Sequence, residues 1–249
     1  MYSSIEAVAL RTVKHNDRSS VLTAWSPQLG RISLVMPAGT GVESRRRRAL
    51  TMPLSLFECV VDRRGDNELM IARDLKGWHP EGRGSYDVSS HPVRATVAMF
   101  VAEVLSVVTR EGDGDAALWS LVVETANHVA EGNSAVLANV PSMCLLRMAA
   151  VLGIEPDFAA RSDADGLDLT EGVFRRTRPL HDNWAGADEM RVIALMAEAS
   201  ASYRHIGIVR LPRTVRNKVL DGITRYFVLH HYPLDRLRSL DILKTVFAS

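Results

Sequence analysis

Cysteine is almost missing from this 249-residue chain: Cys59 and Cys144 are the only two, both in apolar runs and with no partner cysteine nearby in sequence. That scarcity excludes a disulfide framework and a cysteine zinc site, and both residues read as buried packing groups. Long apolar runs are missing too. No stretch approaches the roughly 18 uninterrupted apolar residues of a membrane-spanning helix. The amino-terminal segment MYSSIEAVALRTVKHND has no apolar core between a basic start and a small-residue cleavage site. A cytoplasmic protein is expected. Net charge is nearly absent as well, at +1 from 30 Lys and Arg against 29 Asp and Glu, which taken whole argues against a partner rich in phosphate.

Catalytic signatures are equally scarce. The chain has no G-x-x-x-x-G-K-[ST] phosphate loop and no G-x-S-x-G nucleophile elbow, and Gly39-Thr40-Gly41 is only a turn signal. Asp163, Asp165, Asp168 and Glu171 lack the ligand spacing of a calcium loop and read as a solvated acidic stretch. His230 and His231 are adjacent, so on a helix they point in different directions and do not share a metal as an i, i+4 pair does. A binding protein is expected rather than an enzyme, with no cofactor and no metal.

What the chain does have is charge concentrated by segment. Residues 1–78 carry 12 basic and 8 acidic side chains, residues 79–203 carry 9 and 18, and residues 204–249 carry 9 and 3. Two basic ends flank an acidic middle, which implies separate surfaces behind the near-zero total. The densest feature is Arg45-Arg46-Arg47-Arg48, read as a loop. Such a block repels itself and stays solvated unless a polyanion neutralises it. A solubilising loop and a phosphate clamp are both compatible with it.

The length and the 47% hydrophobic content suffice for two small domains. Five segments between residues 5 and 75 read as strands: IEAVALRTV, SVLTAWS, GRISLVMP, LSLFECVV and ELMIARDL, separated by HNDRS, PQLG, the AGTGVESRRRR loop and RRGDN. Five strands with one long basic loop fit an oligonucleotide-binding (OB) barrel, and an SH3-like barrel docking an acidic partner has about the same strand count. After the connector GWHPEGRGSYDVSSHP the period becomes helical, with Pro92 at a first helical position behind Ser89 and Ser90. Further helices are expected over 115–130, 142–152 (stopped by Gly153), 187–201, 212–231 and 237–247. A hairpin around Glu171-Gly172 lies inside an irregular insertion at about 155–184. The fold class is therefore α+β: an N-terminal five-stranded barrel over 1–78, then a mainly helical domain over 79–249 with a small irregular β insertion.

On the barrel, Arg11, Lys14, Arg18 and Arg31 join Arg45 to Arg48 as candidate phosphate contacts, with Trp25 as either a stacking aromatic or a core residue. At the other basic end, Arg210, Arg213, Arg216, Lys218 and Arg225 decorate the helix over 212–231, either as its ordinary polar face or as a second phosphate surface.

The segment Ala7–Gly39, with its "LRT" strand, short polar turn, Ser-led second strand and Gly30-Arg31 opening the third, resembles the start of the RecO family of bacterial recombination mediators. The segment Val219–Phe247 resembles that family's end, through Tyr226, the histidines at 230 and 231, Leu237, Arg238, Ser239, Leu240 and Leu243. LGIEPDF, DLTEGVF and RPLH in the middle are similar to the form seen in Bacteroidetes-type bacteria. Two departures stand out. The chain has no cysteine over 158–180, where many members carry a four-cysteine zinc site, so zinc is not carried over. It also has Met36-Pro37-Ala38-Gly39 where the family places "RGA" and more basic residues, which delays the charge to Arg45. The resemblance implies a nucleoid-associated, non-hydrolytic protein that binds single- and double-stranded DNA and anneals complementary strands. Its implied partners are RecR and the tail of the single-strand-binding protein SSB, with functional links to RecA and RecF.

Overall fold

The computed structural model describes residues 2–62, 69–81, 91–200 and 206–247. The RRGDN turn and the part of the connector that holds Ser89 and Ser90 lie outside the described residues. The chain divides into two compact units, Met1–Glu131 and Gly132–Ser249.

Alternation of apolar and polar residues builds the first unit. Strands β1 (Tyr2–Lys14), β2 (Ser19–Ser26), β3 (Gly30–Pro37), β4 (Leu56–Asp62) and β5 (Leu69–Gly77) occupy the five expected segments. They close in the order β1-β2-β3-β5-β4, with helix α1 (Val42–Leu50) between β3 and β4, which is the arrangement of an OB barrel. Ile32, Leu34 and Met36 of β3 point inward with Ile5, Ala7, Leu22 and Phe57, while Arg31, Ser33 and Val35 stand on the other side of the pleat.

Closure is uneven. Among the described residues, β3 and β5 pair in parallel only from Ser33↔Leu69 to Val35↔Ile71. Beyond Ile71 the second half of β5 keeps its pairing with β4 but has no β3 neighbour, and α1 packs against β5. The end of α1, the β1–β2 hairpin and the end of β3 meet there: Thr12 Oγ1 donates to the Thr51 carbonyl (3.2 Å) and Ala38 N–H to the Arg18 carbonyl (2.8 Å).

Helices α2 (Pro92–Val108) and α3 (Ala116–Glu131) belong to the same unit. Pro92 does sit in the first helical turn of α2, capped by His91, whose ring nitrogen accepts from the Val93 N–H. Trp25 is wholly buried, against Trp119 (ring centroids 6.2 Å), and Trp119 meets Trp78 (5.3 Å). Its indole N–H donates to the Asp113 carbonyl, so Trp25 is a core residue and offers no face for stacking. The turn before β3 presses on the α2–α3 connector. Gly30 has φ +69°, and a Cβ there would stand 2.6 Å from the Arg110 carbonyl oxygen, so only glycine fits.

The second unit is built around helix α4 (Ser134–Val151), with α5 (Ala187–Ser200) and α6 (Arg213–Leu229) packed on it, followed by α7 (Ser239–Val246). By length and composition α4 passes as a membrane span, yet most of it is buried within its unit. It starts eight residues earlier than expected: Asn133 caps it by accepting from Ala135 and Val136 N–H, and it continues through Pro141. Its buried Asn139 donates to the Ile206 and Val209 carbonyls (2.8 Å each), fixing the segment before α6. The expected hairpin is present as β6 (Gly166–Asp168) and β7 (Val173–Arg175), and β8 (Trp184–Gly186) adds a third strand. Buried Asp168 ties this sheet together. It accepts from the Thr170 and Glu171 N–H groups and from Arg175 Nε.

Tyr226 locks α6 to the insertion: its hydroxyl donates to the Ile154 carbonyl at 2.6 Å, and burial, with Glu155 nearby, pushes the phenol up to about 12. The neutral form is the one the fold holds. Its contribution is therefore complete below pH 10 and is lost as pH rises toward 12. Tyr226→Phe should cost about 1 kcal/mol at neutral pH and flatten that alkaline loss, measured as urea midpoints against pH.

Candidate nucleic-acid interface

The arginine block is a helix, not a loop. Arginine is a good helix former, Glu43 stands in the first turn, and Arg47 and Arg48 stand in the last, so both signs complement the helix dipole. Reading the block from its self-repulsion alone missed this. On the helix only Arg45 and Arg48 are neighbours within the block, at i, i+3, and such a like-charge pair costs only a few tenths of a kcal/mol.

The helix divides the block. Glu43, Arg46, Arg47 and Leu50 share one face and line a groove of about 400 Å³, whose other walls are Met36 and Pro37 of β3 and Ala72, Asp74, Leu75 and Lys76 of β5. Arg47 donates to the Pro37 carbonyl at 2.7 Å, which anchors α1 over the gap between the strands. Arg45 and Arg48 lie outside the groove and are exposed. Lys76 is a site residue that the sequence reading passed over, since one lysine near the end of a strand carries no signal of its own. The packing of α1 on β5 brings it to Arg46 and Arg47.

The other barrel cations fall into two groups. Lys14 and Arg18 lie at the hairpin that meets the end of β3, so they share the α1 end of the barrel. Lys14 is paired with Asp17 at 2.7 Å, both exposed. Arg11 is exposed on β1, three residues back along the strand. Arg31 is elsewhere. It opens β3, roughly 20 Å from Pro37 at the ordinary strand rise, and its guanidinium donates to the Ser106 carbonyl of α2 at 3.0 Å.

In the second unit, Arg210, Arg213, Arg216 and Lys218 cluster at the start of α6. Arg210 and Arg216 line a cleft of about 520 Å³, together with Ala138, Val209, Leu211 and Phe247. Arg213 and Arg216 donate to the Lys244 and Phe247 carbonyls at the end of α7 (3.4 Å each), and the Arg216 guanidinium lies over the Phe247 ring at 5.2 Å. Burial and the neighbouring Arg213 charge lower the pKa of Arg216, so an anion in this cleft would be favoured. Arg225 turns to Asn183 instead (2.9 Å). Among the described residues, no group of three or more His, Cys, Asp or Glu is arranged to hold a metal.

Comparison with known proteins adds an independent line. The family model described as "Recombination protein O C terminal" matches residues 89–241, more than half of the chain. The chain is 26% identical to the DNA repair protein RecO of Phocaeicola vulgatus over 248 residues, covering 100% of both chains. It is also 26% identical to the RecO of Porphyromonas gingivalis over 245 residues, 97% of each chain. A RecO from Desulforamulus reducens is 26% identical over 153 residues, 61% of this chain and 56% of that one.

The geometry separates structural cations from exposed ones. Arg31→Ala should lower stability by about 1–2 kcal/mol in urea denaturation while leaving affinity for an oligonucleotide unchanged.

Proposed function

Because the chain belongs to the RecO family of DNA repair proteins, we propose that it is a recombination mediator that holds DNA on the α1 end of its barrel. One observation carries this reading: four arginines stand as a helix across the open seam of an OB barrel, three of them exposed and only Arg47 half-buried on a carbonyl. Phosphate is the chemistry that offsets their mutual repulsion, and contact with the backbone rather than the base edges makes binding tolerant of sequence. Single strands and duplexes both offer such a backbone.

Annealing needs two backbones neutralised together. The division of the block supplies a basis, with Arg46, Arg47 and Lys76 at the groove and Arg45 and Arg48 outside it. No step requires nucleotide hydrolysis. Within this reading the protein pairs strands coated by SSB and works with RecR to load RecA, with RecF a further participant. The cleft beside α6 suits the SSB tail: Val209, Leu211 and Phe247 offer an apolar wall for its tip, and Arg210 and Arg216 offer charge for its acidic residues.

Replacing Arg45 to Arg48 with alanine should weaken single-strand binding and reduce the salt slope by about 0.7 for each phosphate that is no longer neutralised. Unchanged affinity and slope would remove α1 from the interface. Arg210→Glu, at an exposed position, should weaken binding of an SSB tail peptide about tenfold or more and slow annealing of SSB-coated strands, while annealing of bare strands is kept.

A further inference from the structure

The groove beneath α1 is more than a phosphate clamp. Its walls include buried Met36 and Leu50 with half-buried Ala72 and Leu75, and two carboxylates, Glu43 and Asp74, stand among its cations. A site for phosphate alone has no use for apolar walls and is weakened by carboxylates. Both features suit a nucleobase, which has apolar faces and, in cytosine and adenine, an exocyclic amine that donates to a carboxylate.

The backbone supports the same conclusion. Asp74 has φ +51°, a conformation that non-glycine residues rarely adopt, close to where the β4–β5 register slips between Glu58 and Val60. That irregularity sets the Asp74 carboxylate among the groove residues, and strained positions of this kind gather at binding sites. The size fits as well, since a cavity of about 400 Å³ is in the range that holds small organic groups.

The geometry points to a nucleobase pocket: one unstacked, amino-bearing base of a single strand enters between α1 and β5, with Arg46, Arg47 and Lys76 on the flanking phosphates and Glu43 and Asp74 accepting from the amine. This rests on the single-strand reading above and adds a base contact to it. The pocket lies at the β3–β5 seam rather than on the β2–β3 face usual for OB barrels.

The test uses the full chain and strands of about 12 nucleotides, close to the span of one OB barrel: an all-cytosine strand, an all-thymine strand and an abasic strand of equal length and charge. The cytosine strand should bind about fivefold or more tighter than thymine, and the abasic strand most weakly. A 2-aminopurine set within an adenine strand should brighten several-fold on binding as the base leaves its stack. Glu43→Ala combined with Asp74→Gly, which leaves no side-chain acceptor at either position, should abolish the preference for cytosine and keep the salt slope, since glycine tolerates the positive φ at 74. A preference that survives in that variant would overturn the proposal. Equal affinity for abasic and base-bearing strands, with no brightening, would overturn the pocket and leave the phosphate contact standing. No binding of any strand would overturn both.

Discussion

The parallel pairing of β3 with β5 is the constraint on which the candidate site depends. Among the described residues it extends over Ser33, Leu34 and Val35 only, and β5 then continues to Gly77 without that neighbour. A barrel wall left unpaired in this way must be covered, because exposed strand edges and a bared interior are costly. Helix α1 covers it. Leu50 is buried there, and Arg47 satisfies the Pro37 carbonyl where β3 stops. The element that closes the barrel is thus the one that carries the densest positive charge, and the groove it leaves holds cations and apolar walls side by side.

Arginines serve two physical purposes in this protein. Arg31, Arg213 and Arg216 are directed at carbonyls of the chain itself, where a charged donor strengthens a junction between elements. Arg45, Arg46 and Arg48 are exposed on α1 and remain available to a ligand. Counting basic residues by segment cannot separate these uses. The distinction lies in which carbonyls end nearby, and that is a property of the packed fold.

Much of the architecture was legible in the chain because its periodicities are clean. The alternation in GRISLVMP and the helical spacing after Pro92 each became the element they announced. Three features were not legible. Arg45 to Arg48 read as a loop because their charge was weighed and their helix propensity was not. The start of α4 was hidden by Pro141, which ordinarily breaks a helix but is carried here within a mostly buried one. Strand β8 is only three residues long and has no pattern of its own. At the site, the arginine run could be found by eye, whereas Lys76 and Asp74 could not. They join it through the packing of α1 on β5, and local sequence does not encode that packing.

The central claim is that α1 and the second half of β5 form the surface on which DNA lies. Amide hydrogen exchange with and without a saturating single strand measures this directly. A DNA-binding seam predicts slowed exchange over residues 42–50 and 72–77, with the Gly30–Arg31 end of β3 unchanged. Slowing confined to the second unit, or to the β2–β3 face, with α1 exchanging as in the free protein, would contradict it.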